Sequence, residues 1–334
     1  MKYTVGLQQQ NTEGYLQSII ENKECIYEVY FSWGDFPNGR SNQLVHEYYT
    51  PWELQDGQRE SLRKLSEEGI ALNLLFNANC YGKDSQSRSF FEKIGMTIDY
   101  VAEHYGLQSI TTTSPLIAKF IKNNFEQLEI RASVNMEIGT VQGMDYVAEY
   151  FDSYYMKREN NRDFDRIKEL HRWAEDHGKK LFMLANSGCM NFCSAHIFHD
   201  NLVAHESEIA HMDNAYEFRG MCREYLSKEE NYSHLITDTN FVRPEDMHLY
   251  EPYFVAAKLA TRVHKKPEMV LNSYVRERYH GNILELLEPA HNIYPYVVEN
   301  GNPLTLKKLN EDVMIFDSED TEKKEACHVN KSDD

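Results

Sequence analysis

Two cysteines four residues apart, Cys189 and Cys193, are the sharpest chemical signal in the chain. They lie in Asn186-Ser187-Gly188-Cys189-Met190-Asn191-Phe192-Cys193-Ser194-Ala195-His196, directly after the apolar run Lys180-Leu181-Phe182-Met183-Leu184-Ala185. A loop that follows a strand is a poor place for two core residues, so the pair reads as ligands rather than as small buried hydrophobes. Gly188 lets the backbone before Cys189 approach a neighbour closely. Cys222 adds a third thiol, and Cys327 or Cys80 offers a fourth. Four thiolates are what a [4Fe–4S] cluster takes. Zinc competes, since His196, His199, His205 and His211 are nearby and Cys-x3-Cys is within zinc-ligand spacing. Radical chemistry on S-adenosylmethionine would need a third cysteine where His196 stands. Cys25, at the start of an alternating run, reads as core.

The residues that follow the other apolar runs form a second set. They are Ser32-Trp33-Gly34-Asp35 with Asn38-Gly39-Arg40, Asn77-Ala78-Asn79-Cys80-Tyr81, Asn135, Lys157-Arg158-Glu159 and Thr261-Arg262. Neutral amides supply oriented hydrogen bonds, and arginine supplies a bidentate fork. Such a mixture suits a polar or anionic organic molecule better than an acid/base carboxylate pair. Arg40, Asn77, Asn79, Asn135 and Arg243 are the expected substrate-holding residues, with Arg243 of Phe241-Val242-Arg243-Pro244-Glu245-Asp246 pointing into the same mouth.

These groups must be placed by regular elements. Strands are expected near residues 3–7, 26–31, 70–76, 109–113, 128–134, 153–156, 180–185 and 255–259, from β-branched and aromatic enrichment with Gly, Asn or Pro flanks. Helices are expected over 51–67 behind the Thr50 cap, 88–104, 115–124 behind Ser114, 161–177 and 267–279. Strand–helix alternation with short links implies parallel strands and right-handed crossovers. The α/β architecture expected is a TIM-like (β/α)8 barrel, whose chemistry sits at the C-terminal strand ends. A doubly wound sheet is the alternative, but no glycine-rich phosphate loop follows the first strand. A long insertion separates strands seven and eight. The expected division is a barrel domain over 1–290, including the Cys-bearing insertion 186–240, and a C-terminal extension over 291–334 with a charged tail.

Composition narrows the function. Of 334 residues, Lys and Arg number 35 and Asp and Glu 53, for a net charge of −18. That balance argues against nucleic acid as a partner and against an anionic membrane surface. Hydrophobic residues at 41% allow a sizeable core. The N-terminus lacks the apolar stretch of a signal peptide, and no run is long enough to span a bilayer, so a cytoplasmic location is expected.

Asn186-Ser187-Gly188-Cys189 with Cys193 resembles the Asn-x-Gly-Cys-x3-Cys loop of the U32, collagenase-like peptidase family. Phe241–Asp246, Lys258-Leu259-Ala260-Thr261-Arg262 and Tyr279-His280-Gly281-Asn282 resemble later parts of one branch. The resemblance implies a TIM-like barrel and a [4Fe–4S] cluster. It carries Cys189, Cys193 and Cys222 over as ligands, with Cys327 as the favoured fourth. The C-terminus departs from that branch, since a lone Cys327 followed by His328 replaces a multi-cysteine end. The wider family includes proteins of oxygen-independent hydroxylation in anaerobic quinone synthesis and tRNA modification. The expected function is therefore an iron–sulfur barrel enzyme that modifies a small polar or anionic substrate. A collagenase-like peptidase is one alternative, although no Gly-x-Ser-x-Gly or His-Glu-x-x-His occurs. A non-catalytic iron–sulfur or zinc subunit, with a protein partner or a second copy of itself, is the other.

Overall fold

A computed structural model describes residues 1–8, 13–40 and 50–309. Eight parallel strands close into a barrel in sequence order, with β1 hydrogen-bonded to both β2 and β8. They are β1 Tyr3–Gly6, β2 Ile26–Phe31, β3 Leu72–Phe76, β4 Ser109–Thr112, β5 Glu129–Ala132, β6 Ser153–Tyr155, β7 Lys180–Leu184 and β8 Ala256–Leu259. The TIM-like expectation holds. The helices outside the barrel are α1 Glu13–Glu21, α2 Pro51–Glu67, α3 Arg88–Tyr105, α4 Pro115–Asn124, α5 Val141–Asp145 and α6 Phe164–Asp176.

Local chemistry explains most helix starts. Thr50 and Glu53 form a reciprocal capping box ahead of Pro51, and Ser114 accepts from the Ile117 N–H. Two ends differ from expectation. Asp163 caps the Arg166 N–H, so α6 begins at Phe164 rather than at 161. Helix α11, Pro267–Val275, stops short of Tyr279. There Glu277 turns left-handed (φ +51°) and the Arg278 N–H closes back on the Ser273 carbonyl at 3.0 Å.

Between β7 and β8 run four short helices, α7 His196–Ala204, α8 Glu206–Ile209, α9 Met221–Tyr225 and α10 His234–Thr237. The insertion leaves Phe192, Ile197, Met212 and Tyr216 exposed. After α11 comes a hairpin that the sequence survey does not include, β9 Tyr296–Glu299 with β10 Thr305–Lys308, which bridges through Glu299 to Asn282 in the segment after α11. Cys327 and the charged tail lie outside the described residues. Among the described residues, no helix is long and apolar enough to cross a membrane.

The barrel interior is unusually polar for a fold normally filled by branched aliphatics. Near the N-terminal strand ends, the buried Arg131 pairs with Glu28, with Glu129 at 2.6 Å and with the Ser153 hydroxyl at 3.1 Å. Its guanidinium lies 3.8 Å from the Phe182 ring centre. Ser109 donates to Glu28, and Asn73 links Ser109 to Thr111. A buried network of this kind is tolerable because its members satisfy one another.

Candidate active site at the barrel mouth

The loop after β7 is held on three sides. Asn186 receives the Ala260 N–H at 2.6 Å and donates to the Leu286 carbonyl at 2.9 Å, tying β7 to β8 and to the segment before Glu288. Gly188 donates to the Glu288 carbonyl, and His291 meets the Gly188 carbonyl at 2.8 Å. A Cβ on Gly188 would lie 2.1 Å from the Pro289 carbonyl oxygen, so only glycine fits there. Asn240 donates to the Cys189 carbonyl at 3.1 Å. Phe192, between the two cysteines, takes a left-handed φ of +54°, a strained conformation for a bulky residue.

Cys189, Cys193 and Cys222 are free and half-buried. Burial raises the Cys222 thiol above its usual range, and the neighbouring Cys189 and Cys193 raise it further. The three sulfurs are therefore within electrostatic reach of one another. A single tetrahedral zinc with bonds near 2.3 Å would draw its sulfurs to roughly 3.8 Å apart. Among the described residues, no cysteine belongs to a set of three ligand atoms all within 4.8 Å of one another. The three thiols thus stand near one another without forming a single-ion ligand set.

Beside Cys189 opens a cavity of about 480 Å³, open solvent at its mouth included. Arg40, Arg158, Arg262 and Lys258 line it, with Asn77, Asn135 and Tyr30, and among the described residues Glu288 is its single carboxylate. Arg158 Nη1 donates to the Cys189 sulfur at 3.4 Å, so the cavity and the thiol loop share a wall. Burial opposes the Arg40 charge, but Glu288, Cys189 and Asp200 outweigh it and hold Arg40 more basic than usual. Burial pulls Arg262 down to about 10, so it stays charged at neutral pH. Burial, with Arg262 and Arg40 nearby, pulls Lys258 down to about 7.

The expected residues divide. Arg40, Asn77 and Asn135 line the cavity. Gly39 is confined there, since a Cβ would fall 2.6 Å from Asn135 Nδ2 and 3.0 Å from Asn77 Nδ2. Asn79 is turned away from it, donating to the Asn135 carbonyl at 3.5 Å and to Asp200 at 3.3 Å. Arg243 is a correction: it does not enter the mouth. Asp246 takes both its Nε (2.7 Å) and its Nη2 (2.8 Å), while Nη1 reaches the Gly301 carbonyl. Asp246, in the first turn after Pro244, thus holds this side chain at the hairpin together with the Gly301 carbonyl.

From the sequence, Arg158 and Arg262 belong to the strand-end set suited to an anionic molecule but not to the five expected substrate-holding residues, and Lys258 has no site role. The sequence reading also set carboxylates aside. Glu137, Glu159 and His196 bring three ligand atoms within 4.8 Å of one another. His196 Nδ1 lies 2.7 Å from Glu137 and its Nε2 lies 2.8 Å from Arg158 Nη2. Arginine only donates, so Nε2 accepts from Arg158. Hydrogen bonding to His196 holds Glu137 at about 2. Lys157 already faces both acids, 3.3 Å from Glu137 and 4.0 Å from Glu159. Arg158 also stands between Cys189 and His196, which rules against those two as a direct dyad. A different thiol has an imidazole partner: His205 lowers the Cys80 thiol, Cys80 raises His205, and Glu208 sits 2.9 Å from His205 Nδ1.

No family model matches the chain. A Methanocaldococcus jannaschii protein described as "Uncharacterized protease MJ1657" is 27% identical over 289 residues, 83% of this chain and 80% of its own. The structure of the U32 peptidase Mk0906 superposes with a TM-score of 0.54 at 11% identity, over 77% of this chain and 91% of that one. The chain is thus similar in sequence to a protein described as an uncharacterized protease and shares its barrel fold with a U32 peptidase. In this barrel the loop from Asn186 to Cys193 is heavily braced at the mouth.

Proposed function

We propose that this U32-like chain is an enzyme acting on a small anionic organic molecule in the barrel mouth, beside a thiolate-held [4Fe–4S] cluster. One observation carries the reading: four basic side chains converge on one cavity where, among the described lining residues, Glu288 is the one carboxylate, in a chain of net charge −18. An acidic protein gathers buried arginines in one place only where their desolvation is offset, and an anionic ligand offsets it. Asn77 and Asn135 would orient the ligand's neutral polar groups. Arg158 would meet both the ligand and the cluster edge through Cys189. Cys189, Cys193 and Cys222 supply three ligands, and Cys327 is the candidate fourth. Such a cluster supplies electron transfer or Lewis acidity to a bound substrate. Oxygen-independent hydroxylation is the reaction class the branch resemblance favours.

Anaerobic purification with iron, sulfide and zinc quantified tests this. Iron and sulfide in cluster proportion, lost in Cys189→Ser and Cys222→Ser, are expected. Stoichiometric zinc without sulfide, or iron that survives both substitutions, would refute it.

The names borne by the relatives favour a second reading, peptide hydrolysis. Its nucleophile would be Cys80, because His205 and Glu208 supply the base and orienting group that Cys189 lacks. Peptidase activity abolished by Cys80→Ala and spared by Cys189→Ala would establish that reading in place of the first.

A further inference from the structure

Lys258 occupies a position that substrate binding alone does not explain. It projects from β8 into the floor of the mouth cavity and is only 7% exposed. Among the described residues, no carboxylate or carbonyl pairs with its ammonium within hydrogen-bond distance. Its company is aromatic, with Nζ 4.1 Å from the Tyr30 ring centre and 5.2 Å from that of Tyr155. Both phenols are engaged elsewhere, Tyr30 on the Leu259 carbonyl at 2.8 Å and Tyr155 with the Thr4 hydroxyl at 2.9 Å. The charged groups around it are Arg262, Arg40 and Arg131, opposed by Glu28. If the site needed only a fourth fixed positive charge, arginine would supply it without risk of deprotonation. A lysine walled by aromatics and crowded by arginines is instead an amine able to shed its proton.

We propose that Lys258 is a covalent nucleophile that forms a Schiff base with a small carbonyl compound bearing an anionic group, such as a 2-oxo carboxylate. The neutral amine attacks the carbonyl carbon and a C–N bond forms. The carbonyl oxygen leaves as water, carrying two protons, and the resulting imine takes up one proton to become the iminium. No oxidant or reductant is required. Arg40 and Arg262 hold the anionic group while the carbonyl faces Nζ. The shift of Lys258 toward neutrality accords with this role. The inference rests on the mouth being an anion-binding pocket and is independent of the cluster.

The test is reductive trapping. The full-length protein is incubated with pyruvate or glyoxylate and borohydride, then mapped by peptide mass spectrometry, with pyruvate binding measured in parallel by calorimetry. A reduced adduct at Lys258 is expected, suppressed by excess succinate and absent from Lys258→Arg. Binding without an adduct at Lys258, or adducts no more frequent there than at surface lysines, overturns the nucleophile. Failure of pyruvate, glyoxylate and succinate alike to bind overturns the anion pocket, and this proposal with it.

Discussion

Replacing Lys258 with methionine should stabilise the protein, by an amount that depends on pH in a defined way. The side chain is nearly fully buried, and its ammonium is pushed from an ordinary 10.5 down to about 7. At ~1.36 kcal/mol per pKa unit, that displacement corresponds to a penalty of about 5 kcal/mol on the folded state when the amine is charged. Between pH 7 and 10.5 the unfolded chain keeps this proton and the folded chain has released it. The unfolded state therefore binds more protons, and wild-type stability rises with pH across that window. Below about pH 7 the full penalty applies, and above about 10.5 none remains. Methionine keeps most of the stem's packing between Tyr30 and Tyr155 and has no charge to bury. Urea unfolding of both proteins at about pH 6, 8 and 10 measures the difference directly. The variant should gain a few kcal/mol at the lowest pH, and the gain should shrink steadily toward the highest. A gain that is flat with pH, or a variant less stable at pH 6, would refute the claim that Lys258 is held against its charge. A destabilising lysine kept at the floor of a cavity is the stability–activity compromise expected of a functional group.

Further outcomes follow from the same geometry. Arg40 lies 3.6 Å from Glu288. With both partly solvated, calorimetry with succinate should show roughly tenfold weaker binding in Arg40→Gln and roughly tenfold tighter binding in Glu288→Gln, and shifts of the same sign would count against the pocket's polarity. Glu28→Gln leaves the buried Arg131 short of one carboxylate, and urea unfolding should report a loss of about 3 kcal/mol, whereas a neutral result would mean that Glu129 alone compensates it. Cys80 should react with iodoacetamide at pH 7 faster than an ordinary thiol, and His205→Gln should remove that advantage; equal rates in the two proteins would dismiss the thiol–imidazole pair.

The barrel was legible in the sequence because its causes are local. Alternating and β-branched runs, the Thr50–Glu53 box and the Ser114-Pro115 start fix strands and helices from neighbouring residues alone. Gly188 was legible for a similar reason, since a backbone in tight contact admits few residues, though the sequence did not reveal that the contact was Pro289. Arg243 shows the limit. Its sequence context allowed either the mouth or the acids beside it, and only the fold brought Asp246 and the Gly301 carbonyl together around the guanidinium.

The sequence by itself determined the strand–helix alternation, the acidic balance and the presence of closely spaced thiols, because each is a property of residue type and spacing. Only the tertiary structure decided that Arg40, Arg158, Lys258 and Arg262, separated by up to two-thirds of the chain, share one cavity, and that Arg158 links it to Cys189. Charge is local in sequence, but electrostatic potential and desolvation depend on what folds around it. The lowered affinity of Lys258 for its proton therefore has no counterpart in the sequence until the barrel closes β8 onto β1.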